Sequence, residues 1–304
     1  MNLREALDTM YDIADIWGEF ARSIRWENRF FPPERFNLLF KAIWEKTNYV
    51  EMNVPELYRA RVITPNLIKK ISIERRSKIE DIILGESGLR GLPSDEMGAP
   101  PKGYASSGRV NPRGISYLYL ADSPITACSE VRPILSDLIS VGKFKIPSGL
   151  NFVDLRNIEN SFAIENLDGT KCEDARLIEF SKTLCNSFSE PVNREDDLGY
   201  LPSQYVAAYW KQLGADGIIF DSHMNSGNNG YNVVLFKPDL ATYVENSSVL
   251  YQCTHIQSDF QNLSLSKSSP TTAKTKDTRL EWSEKAILAR DINNIKRAYG
   301  GEQP

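Results

Sequence analysis

The sequence predicts an α+β fold, with a mixed β core flanked by helices and helical segments at both ends of the chain. Two observations carry this. Apolar residues recur at three- and four-residue steps through residues 2–24 and 34–47, the period of a helix that buries one face. Short runs rich in β-branched and aromatic residues, at 54–62, 115–121, 138–146, 151–155, 218–221 and 231–236, lie between Gly, Pro, Asn and Ser turns, as strands do.

Taken in order, helix 2–24 presents Leu3, Leu7, Met10, Ile13, Ala14, Trp17 and Ala21, runs into an aromatic stretch to Phe31, and stops at Pro32-Pro33. Helix 34–47 carries Phe36, Leu39, Phe40, Ile43 and Trp44 on one face. In strand 54–62, alternation places Arg59 and Arg61 on the same face, where two guanidiniums suit a diphosphate or a pair of carboxylates. A charged helix at 65–84 leads into a Gly/Pro loop at 85–107, long enough to serve as a cleft wall.

Residues 108–133 organise the chain. Gly108, Pro112 and Gly114 make a turn, and Ile115 to Ala121 make a strand. Ser123 caps and Pro124 opens a short helix, Ile125 to Val131, which Pro133 ends. Arg109 thus precedes a strand, Tyr119 lies near its end, and Glu130 sits on the following helix, so strand and helix can bring the three into one cleft. Singly, each is more often a surface charge or a core aromatic; together they are candidates.

Strands 138–146 and 151–155 follow, joined by Pro147-Ser148-Gly149, then helix 171–188. The loop 190–201 holds four acidic residues without calcium-loop spacing and reads as solvated. Helix 202–213 turns at 214–217 into strand 218–221, with Ser222 at its end, and an Asn/Gly turn leads to strand 231–236. A Ser/Thr/Lys-rich linker at 258–277 and an amphipathic helix at 280–299 close the chain.

Composition narrows the function classes. The 304 residues carry a net charge of −4, against the basic surplus of a nucleic-acid binder. No apolar run reaches about 18 residues, so no membrane span is expected. Cys128, Cys172, Cys185 and Cys253 fit no metal or redox spacing, and the only histidines are His223 and His255. A His-based metal site or a Ser–His–Asp triad is disfavoured, and a cytoplasmic protein with reduced thiols is expected. No Gly-x-Gly-x-x-Gly opens a strand–helix unit, which disfavours ordinary dehydrogenase chemistry.

Six segments in fixed order carry a resemblance. They are Leu57-Tyr58-Arg59-Ala60-Arg61, Gly108-Arg109-Val110-Asn111-Pro112-Arg113-Gly114, Tyr117-Leu118-Tyr119-Leu120-Ala121, Ser129-Glu130-Val131, Asp216 to Ser222, and Asn232 to Phe236. This set resembles the RES-domain family, named for an Arg, a Glu and a Ser, in a long form with a helical N-terminal extension. The resemblance implies an ADP-ribosyltransferase-like core, placed at 51–257, and a helical extension at 1–50; the linker and C-terminal helix read from composition make up 258–304. It implies NAD as substrate with no metal, and a toxin or defence effector that cleaves the nicotinamide–ribose bond by hydrolysis or phosphorolysis. The implied partners are NAD, phosphate in the phosphorolytic case, and an Xre-type antitoxin or other neutralising protein; a homo-oligomer stays open. The alternatives are an ADP-ribosyltransferase acting on a protein or small molecule, and a partner-binding module that has lost the chemistry. By the resemblance, Glu130 faces the ribose, Arg59, Arg61 and Arg109 hold the diphosphate, Tyr119 confines the nicotinamide, Ser222 orients the ligand, and Asn111 pins the Arg109 loop. Val110 and Ser107 depart from the usual Trp and Gly at those places, which bears on substrate choice.

Overall fold

The computed structural model describes residues 15–47, 56–64, 66–67, 70–71, 73, 84–85, 88–89, 91–156, 158, 163–165, 171–173, 175–190, 192, 196, 198–223 and 230–255. The described residues all fall within one compact unit, 1–256. The start of the first expected helix, most of helix 65–84, the linker at 258–277 and the helix at 280–299 lie outside the described residues.

The sheet has eight strands: β1 (Leu57–Val62), β4 (Leu118–Ala121), β5 (Leu138–Lys145), β6 (Phe152–Asp154), β9 (Gly217–Asp221), β10 (Tyr231–Leu235), β11 (Thr242–Tyr243) and β12 (Val249–Gln252). Strands β2 (Leu84–Gly85) with β3 (Gly88–Leu89), and β7 (Ala163–Glu165) with β8 (Lys171–Glu173), form two separate small hairpins. The main order is β11-β5-β1-β4-β10-β9-β6, with β12 also on β5. Among the described residues only β6 and β9 pair in parallel; the other pairs are antiparallel. The fold is α+β, with a mixed, mostly antiparallel core and a helical N-terminal region.

Strand β4 is shorter than the 115–121 run suggested. Asn111 Nδ2 donates to the Ile115 carbonyl at 2.9 Å, and the Ile115 N–H donates to Pro112 O, so this backbone is tied into the preceding turn rather than a ladder. The short strands β11 and β12 had no clear sequence signal, because each rests on β5 rather than on its own apolar alternation.

Six α-helices are described: α1 (Ile16–Arg22), α2 (Glu34–Thr47), α3 (Ser94–Met97), α4 (Pro124–Glu130), α5 (Ala175–Ser189) and α6 (Leu201–Gln212). Asp15 caps α1 by accepting from the Gly18 N–H at 2.8 Å. Ser123 caps α4 with Pro124 in its first turn. After α1 the chain widens into one π-helical turn, Ser23–Glu27.

Alternation along the strands sorts side chains between two cores. On one face, Tyr117, Ile218, Phe220 and Val234 pack against Phe20, Phe36, Phe40, Phe180, Phe188 and Trp210 of the helices. The Trp210 indole donates to the Phe40 carbonyl at 2.8 Å, joining α6 to α2. On the other face, Leu57, Leu118, Leu120, Ile219, Val233 and Leu235 pack with Leu92 and Met97. Helix α4 lies on the first face over Ala60, Ala121 and Val141, which sets Glu130 beside β10.

Candidate active site

Strands β1 and β4 are neighbours in the sheet but register at one pair, Tyr58 with Ala121. A cavity of about 550 Å³ opens at this junction, within the range of small-molecule and cofactor sites. Tyr58, Arg59 and Ala60 line it from β1, Tyr119 and Ala121 from β4, and Glu130, Val131 and Arg132 from the end of α4. Gly108 and Arg109, Phe220 and Asn232, and Val192, Asp196 and Tyr200 complete the wall.

The Glu130 carboxylate sits among three donors. Its Oε1 accepts from Ser222 Oγ at 2.6 Å and from Asn232 Nδ2 at 2.7 Å. Its Oε2 faces an Arg109 guanidinium nitrogen at 3.4 Å, a loose contact. The Glu130 side chain keeps 22% of its surface exposed, against 9% for Arg109. One carboxylate oxygen is thus fixed by short bonds while the other retains acceptor capacity at the cavity. Ser222 is placed at the end of β9 by its own N–H, which donates to Gly230 O. Its hydroxyl proton is directed at Glu130, not into the cavity.

The loop carrying Arg109 is held from several sides. Asn111 Nδ2 donates to the carbonyls of Ser106, Pro112 and Ile115. Tyr119 Oη donates to Asn111 Oδ1 at 2.7 Å and accepts from the Val110 N–H at 3.2 Å. Burial raises the Tyr119 phenol, which keeps it a neutral donor. From α6, Gln204 Nε2 donates to Gly108 O and Asn111 O, and Ser203 Oγ donates to Arg109 O. Gly108 is required by close approach: a Cβ there would lie 2.6 Å from Asn111 Oδ1 and 2.8 Å from Tyr119 Oη.

The structure therefore brings together Arg109, Glu130 and Ser222, with Tyr119 at the cavity wall and Asn111 behind it. Tyr117 instead packs on Phe236 at 5.0 Å. Arg59 lines the cavity from its place on β1, while its guanidinium donates to the Gly98 carbonyl at 2.5 Å on the Leu57 and Arg61 face of the strand. Burial, then the adjacent Arg61 charge, lowers the Arg59 guanidinium to about 10, so it stays cationic at neutral pH. Arg61 is absent from the cavity wall; it pairs with the Glu96 carboxylate and carbonyl, both at 2.6 Å. Its same-face relation to Arg59 holds, but Glu96 satisfies that face. Sequence reasoning missed Asn232, Gln204 and Ser203. A buried polar residue at an inward position of an apolar strand, as in Asn-Val-Val-Leu-Phe, was the available signal for Asn232.

Among the described residues there is no cluster of three His, Cys, Asp or Glu able to hold a metal, and no helix is long and apolar enough to cross a membrane.

No curated protein matches the chain. A solved structure that resembles it is the Mycobacterium tuberculosis MbcT–MbcA toxin–antitoxin complex, at 15% identity, covering 71% of this chain and 92% of that one, with a TM-score of 0.37. The RES domain model matches residues 87–254, which is 168 of 304 residues and spans Arg109, Glu130 and Ser222. The chain belongs to the RES-domain family.

Proposed function

We propose that the protein is an NAD-consuming enzyme that breaks the nicotinamide–ribose bond, acting as a toxin restrained by an antitoxin. The observation that carries this is the Glu130 carboxylate, fixed on one oxygen by Ser222 and Asn232 and open on the other at the cavity.

The C–N bond between ribose C1 and the nicotinamide ring breaks with its electron pair going to the ring. Nicotinamide leaves neutral, so no general acid is needed. Positive charge develops on the ribose, and a carboxylate beside it stabilises the transition state more than the ground state. Glu130 fills that role. Ser222 and Asn232 hold it, so little reorganisation accompanies the developing charge. Arg109 sets its second oxygen and, with Arg59, makes the cavity attractive to an anionic substrate. Tyr119 confines the ring and keeps the Arg109 loop in place. Water then bonds to C1 and loses a proton, giving ADP-ribose; with phosphate as nucleophile the product is ADP-ribose 1-phosphate. Transfer to a protein acceptor would use the same residues. Restraint by an antitoxin is supported by family membership and by the toxin–antitoxin setting of the similar structure.

The test is product analysis of NAD incubated with purified protein, with and without phosphate, and with cell lysate as acceptor source. Nicotinamide release with free ADP-ribose or its 1-phosphate is expected, and expression without a neutralising partner should arrest growth. Label appearing on protein, with neither free product, would make the enzyme a transferase. Unchanged NAD in all three mixtures would overturn the proposal.

A further inference from the structure

We infer that Arg132, at the rim of the cavity, is the residue that grips the substrate's diphosphate and so selects dinucleotides over uncharged nicotinamide glycosides. The inference rests on the dinucleotide reading above.

Among the described residues three arginines line the cavity, Arg59, Arg109 and Arg132. Two are engaged. Arg109 faces Glu130, at the end where the glycosidic bond would lie, and Arg59 is drawn to the Gly98 carbonyl. Among the described residues no hydrogen bond or ion pair ties down the Arg132 side chain. Against these three cations the wall carries the carboxylates of Glu130 and Asp196, and Glu130 already faces Arg109. Among the described residues Arg132 is thus the cavity arginine left to meet a ligand's charge. A planar fork of donors suits two adjacent phosphate groups better than a point charge does.

The backbone supports a role beyond solubility. Arg132 has φ of 48°, in the left-handed region that favours glycine. It also precedes Pro133, a position that steers a residue toward extended conformations. Its N–H bonds to Ser129 O at 3.1 Å, closing the end of α4. Glycine would serve this helix end without strain, so an arginine here is not explained by local folding. The placement carries the side chain off the same helix end that bears Glu130, two residues away. Distance along a dinucleotide from glycosidic carbon to diphosphate can then be spanned from one rigid element.

The experiment is calorimetric titration of ADP-ribose into the full chain and into Arg132→Gly, Arg132→Lys and Arg61→Ala. Glycine suits the backbone, so thermal stability should hold in Arg132→Gly, and a melting curve checks this. Expected are at least tenfold weaker binding in Arg132→Gly, an intermediate loss in Arg132→Lys, and less than twofold change in Arg61→Ala. The weakening of binding with added salt should also be shallower in Arg132→Gly, a readout that a purely structural role would not move. Binding by Arg132→Gly within twofold of the unmodified chain, with the same salt dependence, would overturn the inference and leave the dinucleotide reading standing. If the unmodified chain bound neither ADP-ribose nor NAD, the dinucleotide reading would fall, and this inference with it.

Discussion

Glu130 has its two carboxylate oxygens in different situations. Oε1 is satisfied at 2.6 and 2.7 Å, and Oε2 meets one distant donor. Removing one short donor should therefore misplace the carboxylate without emptying the cavity. Asn232→Ala is expected to lower kcat by about 10- to 100-fold, in line with the loss of an oriented hydrogen bond in an active site, with KM changed little. Steady-state kinetics on NAD checks this, and Asn232→Asp should be worse, since it sets a second carboxylate against Glu130. Arg109, Glu130 and Ser222 were legible because their spacing and order match a known pattern. Asn232 was not, because on a strand it looks like any other polar interruption until β10 is seen beside α4. Arg61 shows the converse limit. Alternation correctly puts it on the Arg59 face, but not on which side of the sheet the cavity lies, nor that Glu96 occupies that side.

Among elements, α6 does for the Arg109 loop what a strand would do for a neighbouring strand. Gln204 Nε2 reaches Ser107 Oγ, Gly108 O and Asn111 O at 2.9, 2.7 and 3.1 Å, and Gln204 is itself buried. Gln204→Ala should leave the Gly108 carbonyl without its donor, while the Asn111 carbonyl keeps the Gly108 N–H, and should destabilise the protein by about 1–3 kcal/mol in denaturant unfolding. Activity should fall with it, because the loop is the mount of Arg109. A second link runs from the N-terminal helices to the opposite wall. Arg25, in the π turn after α1, donates to Leu198 O at 3.3 Å and Gly199 O at 3.1 Å, next to the wall residues Asp196 and Tyr200. Arg25→Ala is expected to raise KM for NAD several-fold with kcat nearly unchanged. Helices 34–47 and 202–213 were readable from apolar periodicity, with boundaries within a residue. The link through Arg25 was not, because it joins backbone carbonyls more than 170 positions away.

Across the molecule, one aromatic core connects α1 and α2 to α5, α6 and the site-bearing face of the sheet. Burial also ties stability to pH. The Tyr117 phenol is pushed up to about 12, and the Cys128 thiol to about 11 by burial first and nearby Cys253 second. In the unfolded chain these groups lose protons from about their ordinary 10 and 9. Between those values the unfolded state holds fewer protons than the native state, so stability, full below pH 9, falls as pH rises toward 12. Arg59, lowered to about 10 from 12.5, acts in the opposite sense above pH 10. Unfolding midpoints across pH 8 to 11, with Cys128→Ala to remove the thiol's share, read this out. Such coupling was invisible in the sequence, because only the packing of α4 and β4 decides which phenols and thiols leave water.

The most direct measurement is proton NMR of NAD mixed with the intact protein and with Glu130→Gln, alongside the affinity of each for NAD. Glutamine keeps the size of the side chain and removes its charge. The expected result is nicotinamide release by the intact enzyme, and a variant that binds NAD within a few-fold but releases nicotinamide at least about 100-fold more slowly. Undiminished release by Glu130→Gln would show that this carboxylate is not the group that stabilises the breaking bond.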